Sequence, residues 1–269
     1  MPEGDTIHFL AERLRPVLVG STLRNVYLRE VPGANALEGG SVTGVRSVGK
    51  HLLIDVSSED GERILRTHLG MTGRWRTVPP GRPRPAELRV ALRAGDDGPE
   101  LWCSKAPQVE VFLARDERRH PALSRLGPDL LGEVDFDVIV RRVRERAPAD
   151  VAAMLLDQGT AAGLGNVYKC EVLFRGGVHP RVAPGELSDD VIAGLYRDGA
   201  WLLGKNKSRG RRVTTLGPIG AEARVRGIDH FVYERAARRC VRCRDVVRLT
   251  RQGEQLRPTF WCPTCQPGR

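Results

Sequence analysis

The 269-residue chain lacks any apolar run long enough to span a membrane, and its amino terminus lacks the basic start and apolar stretch of a signal peptide. We therefore expect a cytoplasmic protein without membrane contact. Aromatic residues are scarce, at 5% of the chain. Hydrophobic residues nevertheless make up 41% of the sequence, which excludes intrinsic disorder and predicts buried cores in two or three domains.

Acidic residues are scarce in one part of the chain only. Residues 201–269 contain 16 Lys and Arg against 5 Asp and Glu, a net charge of +11, whereas residues 1–200 sum to −1. The whole excess of positive charge therefore lies in the last quarter. This asymmetry favours a polyanionic partner, most simply nucleic acid, although a solvated basic face would give the same composition.

Six cysteines could form disulfides, but four of them are clustered in two pairs and the chain is not a small secreted domain, so a metal site is the better interpretation. Four of them form two C-x-x-C pairs separated by 18 residues: Cys240 and Cys243, then Cys262 and Cys265. This spacing is typical of a four-thiolate zinc site on a β-hairpin, and four protein ligands leave no open position on the metal. We predict one structural Zn²⁺ and no organic cofactor. Cys103 and Cys170 are isolated and are predicted to be buried thiols.

The chain begins Met1-Pro2-Glu3-Gly4, and a small second residue permits removal of Met1. Pro2 would then present a secondary amine with the Glu3 carboxylate beside it. An α-amine has a pKa of roughly 8 against roughly 10.4 for lysine, so near pH 7 it is far more often neutral and able to form a Schiff base. The tetrapeptide alone is weak evidence, because many chains begin this way.

The first half of the chain combines one helical pattern with many short β-like runs. Apolar spacing predicts a helix over 5–19 that Pro16 ends or kinks. From 22 to about 114, Gly and Pro clusters separate β-like runs, which predicts two packed antiparallel sheets, with an exposed loop at 79–85. The runs include Leu23–Arg29, His51–Val56, Gly73–Val78, Glu87–Leu92 and Val109–Leu113.

After a linker near 116–122 the pattern becomes helical. Residues 135–147 and 188–203 have the spacing of amphipathic helices, and a glycine-rich segment leads into an apolar helix-like run at Asn166. From its position, Asn166 is either the N-cap of that helix or part of a phosphate grip with the backbone N–H groups. Residues 205–229 are rich in Gly, Arg and Lys and are predicted to form a mobile loop.

Five segments of the chain are specific when taken together. In chain order they are Pro2-Glu3-Gly4, His68–Trp75 (HLGMTGRW), Leu156–Tyr168 (LDQGTAAGLGNVY), Val172–Pro180 (VLFRGGVHP) and Arg257–Gln266 (RPTFWCPTCQ). This order resembles the formamidopyrimidine-DNA glycosylase and endonuclease VIII family, from residue 2 to residue 266.

The resemblance implies an α+β multidomain fold. An N-terminal β-sandwich with an N-terminal helix, the catalytic domain, would occupy residues 2–116. A helix–two-turn–helix DNA-binding domain with the mobile loop would occupy 123–229, and a four-cysteine zinc-finger β-hairpin 230–269.

The resemblance also implies a bifunctional DNA glycosylase and AP lyase of base excision repair. It would act as a monomer on damaged double-stranded DNA in the bacterial nucleoid. Pro2 would attack the deoxyribose C1′ and displace the base, while Glu3 protonates the sugar ring oxygen. The resulting iminium acidifies the C2′ proton. Lys50 and Arg257 match phosphate contacts of the family that assist β- and δ-elimination respectively.

Other residues match DNA contacts of the family. By resemblance His68, Arg125 and Asn166 contact the DNA backbone. Met71, which follows Gly70 in a turn, would fill the gap left by the extruded base. From the residues alone, His68 equally fits a structural histidine and Met71 a core methionine.

Two features favour the endonuclease VIII branch, most like an actinobacterial subgroup. The chain starts Pro-Glu-Gly, and Pro107–Glu110 (PQVE) stands where the formamidopyrimidine branch carries Pro-Arg-Arg-Phe. Oxidised pyrimidines are therefore the expected substrates. Two alternatives stay open: an 8-oxoguanine/formamidopyrimidine-type glycosylase of the same fold, and a non-enzymatic zinc-ribbon DNA-binding protein, which charge and cysteines alone would fit equally well.

Overall fold

The computed structural model describes residues 2–208, 210–217 and 227–268. The chain forms two compact units that divide between Arg125 and Leu126. The predicted boundaries at 116–123 and 229–230 stay predictions, as does the mobile loop at 205–229, part of which lies outside the described residues. Among the described helices, none combines the length and apolar composition needed to cross a bilayer.

Helix α1 (Gly4–Leu18) opens the first unit and buries one stripe of side chains. The stripe consists of Ile7, Ala11, Leu14 and Leu18. The sequence predicted that the helix ends or kinks at Pro16. The helix does not end there but continues for two more residues. Because Pro16 lies in the last turn, its missing N–H removes a single hydrogen bond, and Val19 N–H closes the helix on the Arg15 carbonyl.

Residues 2–125, all of which the structure describes, contain the two antiparallel sheets that were predicted, and each sheet has four strands. The strands are β1 (Leu23–Leu28), β2 (Ser41–Val48), β3 (His51–Ser58), β4 (Gly61–His68), β5 (Arg74–Val78), β6 (Leu88–Ala94), β7 (Glu100–Ser104) and β8 (Gln108–Leu113). The sheet orders are β1-β6-β7-β5 and β2-β3-β4-β8, and both sheets share one core with α1. The loop at 79–85 is exposed, as predicted.

Three of these strands, β2, β4 and β7, have no counterpart among the predicted runs. In β4 the apolar alternation is broken by Arg66, a charged residue that is only 1% exposed. A sequence pattern assigns such a residue to the surface, because charged groups are seldom buried unless they are paired. The hydrogen-bond partners that stabilise the buried Arg66 lie on the neighbouring strands, so the sequence of β4 alone does not predict its burial.

The second unit contains four α-helices in its described residues. They are α2 (Phe136–Arg146), α3 (Val151–Leu156), α4 (Asn166–Arg175) and α5 (Asp189–Asn206). Side chains of Asp135, Asp150 and Ser188 accept N–H groups at the starts of α2, α3 and α5. The six-residue α3 was not predicted, since it is too short to show a helical period. Short 3₁₀ turns lie at Ala34–Leu37 and Ala114–Arg119 in the first unit and at Pro184–Glu186 in the second.

Helix α4 is the centre of the second unit, because every residue from Asn166 to Phe174 is buried. Its apolar side chains contribute to two clusters, one with α2, α3 and α5 and the other with the C-terminal region. That region contains the antiparallel hairpin β9 (Arg248–Gln252) and β10 (Arg257–Trp261). The isolated cysteines, Cys103 and Cys170, are both buried, as predicted.

Glu171 on α4 is a fully buried carboxylate. It accepts the backbone N–H groups of Phe231, Val232 and Tyr233 at 2.8–2.9 Å, and the hydroxyl of Thr214. One side chain therefore fixes two chain segments that are far apart in sequence. The segment at 231–233 leads directly into the cysteine-bearing region.

We expect Glu171→Gln to lower the free energy of unfolding by about 3 kcal/mol. The glutamine NH₂ group would replace one carboxylate oxygen, so the N–H groups that donate to that oxygen would lose their acceptor in a buried site. Urea unfolding at constant metal content measures the effect. Glu254→Gln, at an exposed position in the β9–β10 turn, is the matched control. Equal stability of the two variants would contradict the assigned role of Glu171.

Candidate functional site

Pro2 and Glu3 form the start of α1. Glu3 is the N-cap, in an extended conformation (φ −127°, ψ −176°), and is 0% exposed, while Pro2 is half-buried. The helix dipole favours a carboxylate at this end and disfavours a protonated amine. At the start of α1, a buried acid therefore lies next to Pro2, the residue whose nitrogen is predicted to become the terminal amine. The predicted removal of Met1 concerns a residue outside those described.

Lys50 lies in the two-residue turn between β2 and β3, after Gly49, whose φ of 56° suits such a turn. Helix α1 crosses β2 with His8 Nδ1 3.4 Å from Ser47 Oγ and with Arg15 bonded to the Val45 carbonyl. The start of α1 therefore lies toward the turn that carries Lys50. Within the first unit, the structure brings Pro2, Glu3 and Lys50 to the same end of the sheet.

His51 and His68 lie directly opposite each other on β3 and β4, with ring centroids 5.0 Å apart. His68 is half-buried and His51 is buried. His68 packs against another ring and still has exposed surface, so the structural role and the DNA contact both stay predictions.

A buried arginine organises the same end of the sheet. The guanidinium of Arg66 donates to His51 Nδ1 at 2.6 Å, to Glu110 Oε2 at 2.8 Å and to Gln108 Oε1 at 3.1 Å. His120 Nε2 lies 2.9 Å from the same Glu110 oxygen. Sequence reasoning missed this network. Its one signal in the sequence is that the charged Arg66 directly follows the apolar Ile64 and Leu65.

These surroundings hold both histidines neutral. Burial, reinforced by the charge of Arg66, lowers the pKa of His51 from 6.5 to about 3. Burial first, and then the charges of Arg66 and Lys50, also lower the pKa of His68. A neutral His51 is what the geometry requires, because its Nδ1 must accept a hydrogen bond from Arg66.

Met71 is 71% exposed, which excludes the core role. The preceding Gly70 has a φ of 57°, and a Cβ there would lie 2.8 Å from Pro107 Cγ, so a side chain at Gly70 would strain the turn. The turn therefore presents a flexible apolar side chain to solvent. Arg125, at the end of the first unit, is exposed.

In the second unit, Asn166 is the first residue of α4, and the N-cap is Gly165, so the N-cap alternative is wrong by one residue. Asn166 is 2% exposed. Its Nδ2 donates to the Pro258 carbonyl at 2.8 Å, and its Oδ1 accepts from Lys169 Nζ at 2.8 Å. Arg257 immediately precedes Pro258 on β10, is half-buried and donates to Gln255 Oε1 at 2.9 Å. The structure thus brings Asn166 next to the strand that carries Arg257.

The paired cysteines converge on one point. The Sγ atoms of Cys240, Cys243, Cys262 and Cys265 all lie within 4.8 Å of one another. A tetrahedral thiolate site with metal–sulfur bonds of about 2.3 Å has sulfur–sulfur separations of about 3.8 Å. The separations of 3.9 Å between Cys240 and Cys265 and 3.3 Å between Cys243 and Cys262 are close to that geometry. The cluster is suited to hold a metal ion.

Comparison with known proteins identifies the family. Residues 1–106 match the formamidopyrimidine-DNA glycosylase N-terminal domain, and residues 126–214 match the formamidopyrimidine-DNA glycosylase H2TH domain. The chain is 39% identical to the probable endonuclease 8 2 of Streptomyces coelicolor, covering 100% of this chain and 95% of the relative. The chain belongs to the formamidopyrimidine-DNA glycosylase and endonuclease VIII family. It is also 36% identical, over 99% of both chains, to the DNA-(apurinic or apyrimidinic site) lyase Nei2 of Mycolicibacterium smegmatis.

Solved structures of the family share the fold of this chain. The MutM (Fpg) protein of Thermus thermophilus is 31% identical and superposes with a TM-score of 0.81 over 100% of both chains. Lactococcus lactis Fpg in complex with DNA containing an abasic site is 22% identical, with a TM-score of 0.82 over 99% of this chain and 100% of that one. The predicted fold class is therefore confirmed.

We expect the stability of this family member to fall below pH 6.5 through His51. Its pKa is about 3 in the folded state and 6.5 when unfolded, so in this window the unfolded chain binds one more proton. Stability is fully present above pH 6.5 and is lost toward pH 3, by up to about 1.4 kcal/mol per pH unit.

Urea unfolding of wild type and His51→Gln between pH 5 and 7 tests this expectation. The glutamine oxygen still accepts from Arg66 but does not titrate, so the variant should have the shallower pH dependence. Equal slopes would show that His51 is not the titrating group.

Proposed function

We propose that the chain is a bifunctional DNA glycosylase and AP lyase of base excision repair, which removes oxidised pyrimidines from double-stranded DNA. The observation that carries the proposal is the pairing of Pro2 with the buried Glu3 at the start of α1, which lies toward the turn that holds Lys50. The full-length relatives named endonuclease 8 and DNA-(apurinic or apyrimidinic site) lyase support it. We further propose that the enzyme works as a monomer in the bacterial nucleoid.

The chemistry requires a free Pro2 nitrogen, so Met1 must first be removed. The neutral amine attacks the deoxyribose C1′, and the base leaves with the proton that the amine nitrogen loses. Glu3 then protonates the ring oxygen so that the sugar opens to an iminium. The positive nitrogen acidifies the C2′ proton. Its removal expels the 3′ phosphate in β-elimination, and a second elimination expels the 5′ phosphate. Hydrolysis of the remaining iminium releases Pro2.

The DNA contacts divide between the two units. Lys50, His68 and Arg125 of the first unit and Arg257 of the second would contact phosphates, consistent with the positive charge of the last quarter. The start of α4 would bind a further phosphate through the helix dipole, and Asn166 holds that helix end in place. The exposed Met71 would enter the gap left by the extruded base.

The four-cysteine cluster would hold one Zn²⁺. Four thiolates complete the coordination of the ion, so the metal would stabilise the hairpin rather than take part in the reaction. The hairpin would in turn present Arg257 and the exposed Arg248 and Arg251 to the DNA phosphates.

Our proposal for the lesion class rests on the stretch at 107–110. Gln108 and Glu110 are hydrogen-bonded to the buried Arg66 and belong to the sheet network. The arginines and the aromatic residue of the formamidopyrimidine branch are replaced here by side chains with a structural role. This supports oxidised pyrimidines over 8-oxoguanine opposite cytosine, and single-turnover excision from a panel of lesion duplexes tests the preference.

We expect borohydride to trap a covalent complex between the trimmed protein and duplex DNA containing an abasic site or thymine glycol. Borohydride reduces the iminium to a stable amine, and peptide mass spectrometry should locate the adduct on Pro2. An undamaged duplex of the same sequence is the control. The absence of an adduct from a protein whose N-terminus is shown to be Pro2 would refute the enzymatic proposal and favour a DNA-binding role alone.

We expect Glu3→Gln to lose base excision by at least 100-fold while it keeps most cleavage at preformed abasic sites, since general acid catalysis contributes roughly 10²–10⁴-fold. An abasic site is a hemiacetal that equilibrates with its open-chain aldehyde in water, so its ring opening does not depend on a proton from Glu3. Single-turnover rates on the two substrates give the comparison. Equal loss on both would contradict the role of Glu3 in ring opening.

A further inference from the structure

We infer that Lys169 is a positioning residue that holds the start of α4 and the Arg257 strand in one phosphate-binding arrangement. The inference rests on the proposed function, since it assumes that these two elements contact DNA phosphates. Lys169 itself is 0% exposed and does not reach the surface. It therefore acts through its neighbours rather than on the DNA.

The ammonium group of Lys169 joins two elements that are about 90 residues apart in sequence. On α4 it donates to Asn166 Oδ1 at 2.8 Å, one helical turn earlier. On β10 it donates to Thr259 Oγ1 at 2.7 Å and lies 3.4 Å from the Pro258 carbonyl oxygen. Pro258 and Thr259 directly follow Arg257, so the ammonium is anchored to the strand that carries this arginine.

The same contacts determine the orientation of the Asn166 amide. An ammonium has three donors and no acceptor, so the amide must turn its oxygen toward Lys169. Its nitrogen then faces the Pro258 carbonyl, to which it donates at 2.8 Å. Lys169, Asn166 and Pro258 thus form a closed set of hydrogen bonds between the first turn of α4 and β10.

Folding alone does not explain a lysine here. The neighbouring residues on α4, such as Cys170, Val172 and Leu173, are buried and mostly apolar, and Lys169 lies among them without exposure. Burying a charge is unfavourable unless polar groups meet it, and an apolar side chain of similar length often packs at least as well. What an apolar side chain cannot do is orient the Asn166 amide and the Pro258 carbonyl together.

The charge adds a second effect. A buried ammonium next to the first turn of α4 raises the positive potential of a helix end that already attracts anions. Arg257, on the adjoining strand, contributes in the same region. Lys169 therefore both aligns the two phosphate-binding elements and strengthens the field in which they act.

Lys169→Met tests the inference, with Lys105→Met as the control that removes one charge from an exposed lysine in the first unit. Binding to abasic-site DNA should weaken roughly tenfold, the effect of losing one charge-assisted hydrogen bond. The slope of log affinity against log salt should become shallower by about 0.9 for each phosphate that the variant no longer neutralises. The borohydride-trapping rate at saturating DNA should stay within about threefold of wild type, since Pro2 and Glu3 belong to the other unit.

A double-mutant cycle with Arg257→Ala separates positioning from a general loss of structure. If Lys169 acts through the Arg257 strand, Lys169→Met should cost much less affinity in the Arg257→Ala background than in wild type. Additive losses of affinity, or an unchanged salt slope in Lys169→Met, would overturn the inference. Zinc content and thermal unfolding of each variant verify that the hairpin is folded.

If Lys169→Met does not fold, Thr259→Val removes one acceptor of the ammonium at nearly constant shape and should give a smaller change of the same kind. Unchanged binding and salt slope in a folded Thr259→Val would then overturn the inference. Failure of the proposed function is a different result, because the wild-type protein would then give no borohydride adduct whatever the behaviour of the Lys169 variant.

Discussion

The second unit depends on the burial of one helix that contains polar residues. Because α4 is surrounded by protein, Asn166, Lys169 and Glu171 must be satisfied by other chain segments. Glu171 is satisfied by the backbone at 231–233 and by Thr214, and the other two by β10. The requirement to satisfy three side chains therefore dictates where the hairpin and the segment leading to it attach to the helical core.

The first unit follows the same rule with a different residue. Arg66 on β4 is buried and is satisfied by side chains of β3 and β8, which fixes the sheet end that also holds Lys50 and His68. The same network keeps His51 neutral. In both units a buried cation is surrounded by oriented acceptors beside a proposed DNA contact. Because these groups are buried, water cannot replace their hydrogen-bond partners, and this makes the sites rigid.

Beyond these rigid sites, the proposed chemistry needs only an amine and an acid at the start of α1. After removal of Met1, Pro2 would present an amine beside the buried Glu3, and the dipole of α1 would act on both residues at its N-terminal end. The remaining task is to bind the duplex through its phosphates. Positive charge concentrated in residues 201–269, and a hairpin that a metal can hold rigid, are suited to that task.

By itself the sequence determined the two antiparallel sheets, the main helices, the cysteine cluster and the family, because these depend on local periodicity and on motifs with fixed spacing. It did not predict α3 or β4, since one is short and the other contains Arg66 where a pattern expects an apolar residue. Only the tertiary structure revealed that Asn166 is bonded to the Arg257 strand and that Lys169 and Glu171 are buried. Burial of a charged group depends on partners that are distant in sequence, and no local pattern contains that information.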